Sequence, residues 1–402
     1  MALARIPADN GSVGAGQRQI AICTATVGKK CHLLPLSPAK GMKSWQATWP
    51  VPLLLSILCL TLVACTVDHD FDEATWRELT LSRDPSLLYA PHHNEKGYFN
   101  PWLWLPNHDR QGSVWDLKRA AKINEPPDLD ASKYNAVENQ YEYLAVGADS
   151  LSFAGHATFI IEMDGSTIIT DPYFSGRALI VWDKIKRRFD FAKIPEHAVV
   201  LISHNHYDHL DRYAVKKLIK RKAIFIVPLG LKDFFVDLGA TEVYELDWWR
   251  ALTLNHVKYT FLPAQHWSRR IGQPENSTLW GAFMIEGKKK IFFSGDTGYF
   301  IGFKEFGRQF PNIDYALIGV GAYEPRWFMH YAHENVEEFL LAVNDLGAKV
   351  SIPMHFGLIE LGKEPALYPP YQIDKYMDQN PAYKDKVRIM RVGEYIPLED
   401  RR

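Results

Sequence analysis

The segment Ser203-His204-Asn205-His206-Tyr207-Asp208-His209-Leu210-Asp211 constrains this chain more than any other, because three imidazoles and a carboxylate fall between positions 204 and 209. Imidazole nitrogen and carboxylate oxygen are the donors taken up by zinc and similar borderline divalent cations. Imidazoles crowded together without a cation bring repulsion and no compensating bond, so a chance polar loop is a poor account of the run. The run also holds more donors than one ion comfortably uses, which points to two metals.

Five apolar runs end in polar groups of the ligand type. Ile168-Ile169-Thr170 leads into Asp171, Val199-Val200-Leu201-Ile202 into His204, and Tyr259-Thr260-Phe261-Leu262 towards His266. Ile291-Phe292-Phe293 leads into Asp296, and Val350-Ser351-Ile352 into His355. From Leu151 onward such β-branched and aromatic runs alternate with helical patterns, which predicts an α/β layer architecture. Sites in these folds gather outside strand ends, so the five polar groups are expected on a shared edge. Singly, each signal is weak. A lone His after a strand is more often a satisfied polar residue, and Gly295-Asp296-Thr297-Gly298 reads equally as a tight turn. The His-rich run in the same chain reverses that balance.

The first sixty-five residues have a different character. Val51 to Val63 is apolar but shorter than the roughly 17 to 25 residues of a spanning helix, and it ends in Leu62-Val63-Ala64-Cys65. This pattern resembles a bacterial lipoprotein signal, with cleavage before Cys65 and acylation of that cysteine; an ordinary secretory signal is the competing reading. Thr66 after the cysteine, by the same resemblance, implies the outer membrane. A leader of ordinary length would begin at Met42-Lys43, so translation is expected to start there, with residues 1–41 an upstream extension. All four cysteines (Cys23, Cys31, Cys59 and Cys65) lie at or before the cleavage point, so no thiolate serves the folded part. Beyond Cys65 acidic side chains outnumber basic ones by six, which argues against nucleic acid as a partner. The expected division is 1–65 as extension and signal, 66–145 as a Pro-, Asn- and Trp-rich wrap with little periodicity, and 146–402 as the catalytic domain.

The order of the His-x-His-x-Asp-His run, His266, Asp296 and His355 resembles the metallo-β-lactamase superfamily. The likeness is strongest to the branch of phospholipases D that hydrolyse N-acyl-phosphatidylethanolamine. It extends to Phe99-Asn100-Pro101-Trp102, Gly155-His156-Ala157-Thr158, Thr170-Asp171-Pro172, Gln265-His266-Trp267, the block Tyr323-Glu324-Pro325-Arg326-Trp327-Phe328-Met329, and His333. The metal motif marks the superfamily only; the Tyr323 to Met329 block is far more specific. The resemblance implies a four-layer αββα sandwich and two zinc ions. His204, His206 and His266 would hold one, Asp208, His209 and His355 the other, and Asp296 would bridge them. A carboxylate has two oxygens and can span two cations, whereas a neutral imidazole offers a metal one nitrogen.

Asp171 is expected to accept a hydrogen bond from a ligand histidine, with a turn-forming role as the alternative. Asp208 is expected to orient the attacking oxygen, and His333 and the Tyr323/Arg326 pair to contact phosphate or the leaving group. His333 also reads as the capped start of the helical pattern Glu334 to Leu341, and Arg326 as a structural bridge to a carboxylate. Trp182 to Lys193 reads as a solvated surface helix or a patch for lipid head groups, the lysines of 216–222 as a solvated helix face, and Trp248-Trp249 as core or lipid contact. The resulting expectation is a phospholipase D-type phosphodiesterase acting on phospholipid and tethered by an N-terminal lipid anchor. A lactonase or small-ester hydrolase on the same centre, and a non-catalytic envelope lipoprotein, are the alternatives.

Overall fold

Alternation within the apolar runs decides how the chain is layered. The computed structural model describes residues 66–81, 84–103, 113–137, 149–187 and 189–398. Phe159, Ile161, Ile168, Val199, Leu201 and Ile226 enter one core, while Ile160, Ile169, Val200, Ile202, Phe225 and Val227 enter another. Neighbouring residues of a strand face opposite ways, so a strand that is apolar throughout must be covered on both faces.

Two large sheets result. The first contains β3 (Ser150–Gly155), β4 (Thr158–Met163), β5 (Ser166–Thr170), β8 (Val199–Leu201), β9 (Ile224–Pro228), β10 (Val243–Leu246) and β17 (Tyr395–Pro397), in the order β10-β9-β8-β5-β4-β3-β17. The second contains β11 (Ala251–Leu254), β12 (Val257–Leu262), β13 (Ala282–Glu286), β14 (Lys290–Phe293), β15 (Tyr315–Gly319) and β16 (Val350–Met354), in sequence order. Two short hairpins stand apart, β1 (His93–Asn94) with β2 (Gly97–Tyr98), and β6 (Arg177–Ala178) with β7 (Val181–Trp182). Val215, Leu218 and Phe235, from helices Arg212–Ile219 and Lys232–Asp237, cover the outer face of the first sheet. Phe303, Phe306, Phe339 and Val343, from helices Gly302–Gln309 and Val336–Leu346, serve the second. The layers therefore run helix, sheet, sheet, helix.

Parallel pairing then builds the site edge. β5, β8 and β9 run parallel, as do β14, β15 and β16. Their C-terminal ends in each sheet consequently lie on one side, which sets Asp171 beside the His204 loop and Asp296 beside His355.

Among the described residues before β3 the chain forms helices Glu73–Leu81 and Val114–Arg119, the β1/β2 hairpin, and 3-10 turns at Pro85–Tyr89 and Ala131–Lys133. Trp76, Leu88 and Trp102 are buried, and the ring of Trp102 stacks on Phe300 at 5.0 Å. The signal-like segment and Cys65 lie outside the described residues. No helix among the described residues is long and apolar enough to cross a membrane.

The described residues of Trp182 to Lys193 form no α-helix. β7 ends at Trp182, and a single 3-10 turn follows at Phe191–Lys193. The Arg187 guanidinium turns inward, donating to the carbonyls of Ala154 (2.8 Å) and Tyr173 (2.7 Å) and pairing with Asp183 at 3.2 Å. Burying that charge with its partners outweighs local helix propensity. Arg188 lies outside the described residues. Trp248 and Trp249 belong to the core, their indole N–H groups donating to the carbonyls of Trp280 and Leu88.

Candidate metal centre

The ligand-type side chains converge at the shared edge as two clusters. In one, His204 Nε2, His206 Nδ1 and His266 Nε2 face each other, with His206 Nδ1 2.9 Å from His204 Nε2 and 3.2 Å from His266 Nε2. In the other, Asp208 Oδ2 lies 3.3 Å from His209 Nε2 and 3.5 Å from His355 Nε2. Asp296 Oδ2 stands between them. It is 3.1 Å from His355 Nε2, 3.2 Å from His209 Nε2, and 3.9 Å from the Nε2 atoms of both His204 and His266.

The surrounding hydrogen bonds fix which nitrogen each ring offers. His209 donates from Nδ1 to Asp171 (2.7 Å), His204 from Nδ1 to the Ser203 hydroxyl (2.9 Å), and His266 from Nδ1 to the Ala332 carbonyl (3.1 Å). Each of these rings therefore turns Nε2, the nitrogen that carries the lone pair when the ring is neutral, into the clusters; at His209 burial opposes the charged form, but Asp296 and Asp208 hold its imidazole well above the usual range. Lone pairs at such spacing repel unless a cation lies between them. Two nitrogens about 2.0 to 2.1 Å from one ion at a tetrahedral angle stand about 3.3 Å apart, close to the observed 3.2 Å. His209 Nε2, His355 Nε2 and Asp296 Oδ1 are buried with no hydrogen-bond partner. The donor set therefore fits divalent cations.

Charge points the same way. Burial alone would raise the Asp208 and Asp296 carboxyls, yet His209 and its neighbours hold both well below the usual range. Burial opposes a charged His355, but Asp296 and Asp208 lift it to about 9. The two carboxylates thus demand positive charge at this spot, which a proton or a metal supplies.

Backbone geometry is unusual at the same place. His156, Asp171 and His355 adopt φ of 58°, 30° and 70°, values that non-glycine residues rarely take and that cluster at functional sites. Gly295, at φ 56°, lets the Asp296 turn approach the His204 loop; a Cβ there would stand 2.5 Å from Ser203 Cβ.

His206, Asp208, Asp296 and His333 open into a cavity of about 570 Å³ whose remaining lining is largely apolar, with Leu117, Ala178, Val181, Phe328, Met329 and Leu361. His333 Nδ1 lies 4.0 Å from Asp296 Oδ2. The helix-cap reading of His333 does not hold, because Asn335 caps helix Val336–Leu346 in a reciprocal box with Glu338.

Residues 166–356 match the model of the β-lactamase superfamily domain. The chain is 32% identical over 270 residues to N-acyl-phosphatidylethanolamine-hydrolyzing phospholipase D 1 of Caenorhabditis elegans, spanning 62% of this chain and 76% of that one. It belongs to the metallo-β-lactamase superfamily. Outer membrane protein RomA of Klebsiella pneumoniae is 39% identical over 97 residues, 24% of this chain and 71% of that one. A metallo hydrolase of Ignicoccus hospitalis shares the fold at a TM-score of 0.50 and 23% identity, over 63% of this chain and 99% of that one. The match is to a superfamily of metal-dependent hydrolases, and the His/Asp clusters here offer donor sets that could hold a metal ion.

The block from Tyr323 to Met329, specific to the phospholipase D branch by resemblance, meets the cavity differently from expectation. Ala322, Phe328 and Met329 line it. Tyr323 and Arg326 do not. The buried Tyr323 hydroxyl donates to Gln372 (2.6 Å). Arg326 spends its fork on Glu73 (3.0 Å), Glu338 (2.7 Å) and the His333 carbonyl (3.0 Å), tying helix Glu73–Leu81 to helix Val336–Leu346. A guanidinium so occupied is a structural bridge, and its expected phosphate contact is corrected accordingly.

His156 was missed as a site residue. Buried in the turn after β3, its Nε2 lies 2.8 Å from Asp208 Oδ2. The signal lies in the sequence, since His156 follows an apolar strand as the cluster residues do. Asn100 was also passed over; its amide donates to the His266 carbonyl at 2.9 Å and braces that ligand's backbone.

Proposed function

We propose that this protein is a phosphodiester hydrolase of the phospholipase D type, carrying two zinc ions and acting on N-acylated phosphatidylethanolamine or a related phospholipid. The reading rests on Asp296 Oδ2, 3.1 to 3.9 Å from ring nitrogens of both clusters, beside an apolar cavity. His204, His206 and His266 would hold one zinc, Asp208, His209 and His355 the other, and Asp296 would be shared between them. When bound, such a pair acidifies water and stabilises charge on the attacking and leaving oxygens of a phosphodiester.

The chain's own groups supply the rest. His156 fixes the Asp208 carboxylate, which orients the attacking oxygen. Burial pushes the His333 imidazole down to about 3, so it is a neutral ring at the cavity wall, able to hydrogen-bond the leaving oxygen or a phosphate oxygen. The apolar lining takes up acyl chains and excludes water. The named activity of the Caenorhabditis elegans relative supports a lipid substrate. Acylation at Cys65 would tether the enzyme to the outer membrane, a location supported by the Leu62-Val63-Ala64-Cys65 pattern and by the name of the Klebsiella relative.

Incubating zinc-loaded protein with a lipid extract and analysing products by mass tests the reading. N-acylethanolamines and phosphatidic acid are expected. Hydrolysis of lactones but not of bis-(p-nitrophenyl) phosphate would overturn it in favour of an ester hydrolase.

A further inference from the structure

Tyr207 and Arg270 stand between the cavity at the metal centre and a second one of about 510 Å³; both line both cavities, as do Leu179 and Ile271. The Arg270 guanidinium lies 3.9 Å over the Tyr207 ring and is seated by bonds from Nη1 to the carbonyls of Asn205 (2.8 Å) and Leu210 (2.9 Å). Arg177 and Arg212 complete a basic lining. Among the described residues none of these three arginines has an ion-pair partner, although neighbouring Arg269 pairs with Glu275 at 3.7 Å. The one carboxylate lining this cavity, Asp211, is already engaged. Its Oδ2 accepts from the backbone of Phe174 (2.9 Å) and Ser175 (2.7 Å), and its Oδ1 from Tyr213 (2.9 Å).

Three guanidiniums facing one committed carboxylate leave a net positive cavity on a chain whose formal net charge is −1. The charge complement is an anion, and a guanidinium fork suits phosphate oxygens. The rim decides which source of phosphate is favoured. Ile271, 75% exposed, lines both cavities; Ile180, 76% exposed, lines the metal-site cavity; and Trp182, 65% exposed, sits 5.5 Å from the Arg177 guanidinium and pairs with it in hairpin β6/β7. Exposed apolar side chains beside basic ones, around a cavity mouth, are what a protein presents to an anionic lipid surface.

We propose that the Arg177/Arg212/Arg270 cavity binds the head-group phosphate of an anionic membrane phospholipid, one with no head-group cation beside the phosphate, while Ile180 and Ile271 enter the acyl boundary. Docked this way, the mouth of the metal-site cavity faces lipid. The phosphate site itself does not depend on the phosphodiesterase reading; only the advantage of delivering substrate directly from the bilayer rests on it.

The test is co-sedimentation of the full chain carrying Cys65→Ser, which removes any acyl anchor, with vesicles of phosphatidylcholine alone or mixed with phosphatidylglycerol. Comparing variants in this background cancels the apolar segment before position 65. The parent should prefer the mixed vesicles, and Arg177→Gln/Arg212→Gln should weaken binding to them on the order of tenfold while leaving phosphatidylcholine binding unchanged. Ile180→Ser/Ile271→Ser should weaken binding to both. Equal binding of the parent to both vesicle types, or an undiminished preference in the arginine variant, overturns the site. If instead inorganic phosphate binds the parent tightly, loses that binding in the arginine variant and vesicles make no difference, the cavity takes a free anion and the lipid assignment is wrong. Turnover of bis-(p-nitrophenyl) phosphate in the same samples reports on the proposed reaction alone, so the two readings fail separately.

Discussion

His156 Nε2 donates to Asp208 Oδ2 at 2.8 Å from a fully buried position, and burial pushes its imidazole down to about 3. The ring is therefore a neutral donor that fixes one carboxylate oxygen. Groups that hold a metal's ligands typically contribute 10- to 100-fold in affinity or activity. His156→Ala is expected to lower occupancy at the Asp208/His209/His355 cluster and to reduce turnover by roughly that factor, with His156→Gln recovering part of it. Metal titration followed by inductively coupled plasma analysis checks the first, and bis-(p-nitrophenyl) phosphate kinetics the second.

Asp296→Ala should empty both clusters, since a single oxygen faces ring nitrogens of each. Purified parent should carry close to two zinc equivalents and the variant far less than one. A variant that keeps one ion at full occupancy would show that Asp296 does not bridge.

Arg326 is expected to act on stability. Its side chain is 10% exposed and that of Glu338 1%, so the pair is effectively desolvated. Removing one partner of a buried pair leaves the other charge uncompensated, at a cost of about 3 to 5 kcal/mol. Arg326→Met should lose stability on that scale in urea unfolding. Arg326→Lys, which keeps the charge but cannot reach Glu73, Glu338 and the His333 carbonyl together, should lose less. Activity per folded molecule should stay close to the parent's in the lysine variant.

Glu162 gives a pH dependence. Burial lifts its carboxyl from 4.5 to about 7, against the opposing hydrogen bonds from the Thr167 hydroxyl. The folded state thus holds this proton more tightly than the unfolded chain. Well below pH 4.5 both states are protonated and no penalty arises; between about 4.5 and 7 the unfolded chain gives up this proton first, so stability falls as pH rises and the loss is complete once the folded carboxyl ionises above 7. At about 1.4 kcal/mol per unit, discounted because the side chain is only partly buried, the loss by pH 8 is about 2 kcal/mol. Glu162→Gln should raise the melting temperature at pH 8 and leave it nearly unchanged at about pH 3.5, below the unfolded carboxyl's range.

Much of this site was legible in the sequence because its ligands follow apolar strands, and strand ends in a layered fold converge. The apolar runs at 168–170 and 199–202 fall in the first sheet and those at 259–262, 291–293 and 350–352 in the second, whereas the four-layer order came from the family resemblance. Arg326 was misjudged because its partners Glu73 and Glu338 lie 253 and 12 residues away, and no local pattern reports a pairing that distant. The Trp182 to Lys193 segment failed for a related reason: Arg187 is drawn inward by carbonyls of Ala154 and Tyr173, groups that sequence spacing does not bring together. His156 was missed because a single histidine in a turn carries little weight until Asp208 is seen beside it.

Substrate length should be read by the cavity wall. Leu117, on the short helix Val114–Arg119, lines the metal-site cavity along with Phe328 and Met329. Each methylene taken from water into such a lining contributes about 0.8 kcal/mol, so a carboxylate placed there removes contacts that only a long acyl chain makes. Leu117→Asp is expected to lower kcat/KM for a long-chain phospholipid on the order of tenfold or more, mostly through KM. The same variant should hydrolyse bis-(p-nitrophenyl) phosphate at the parental rate, because that substrate reaches the ligand clusters without filling the apolar part. An equal loss on both substrates, or none on the lipid, would mean that acyl chains take another path.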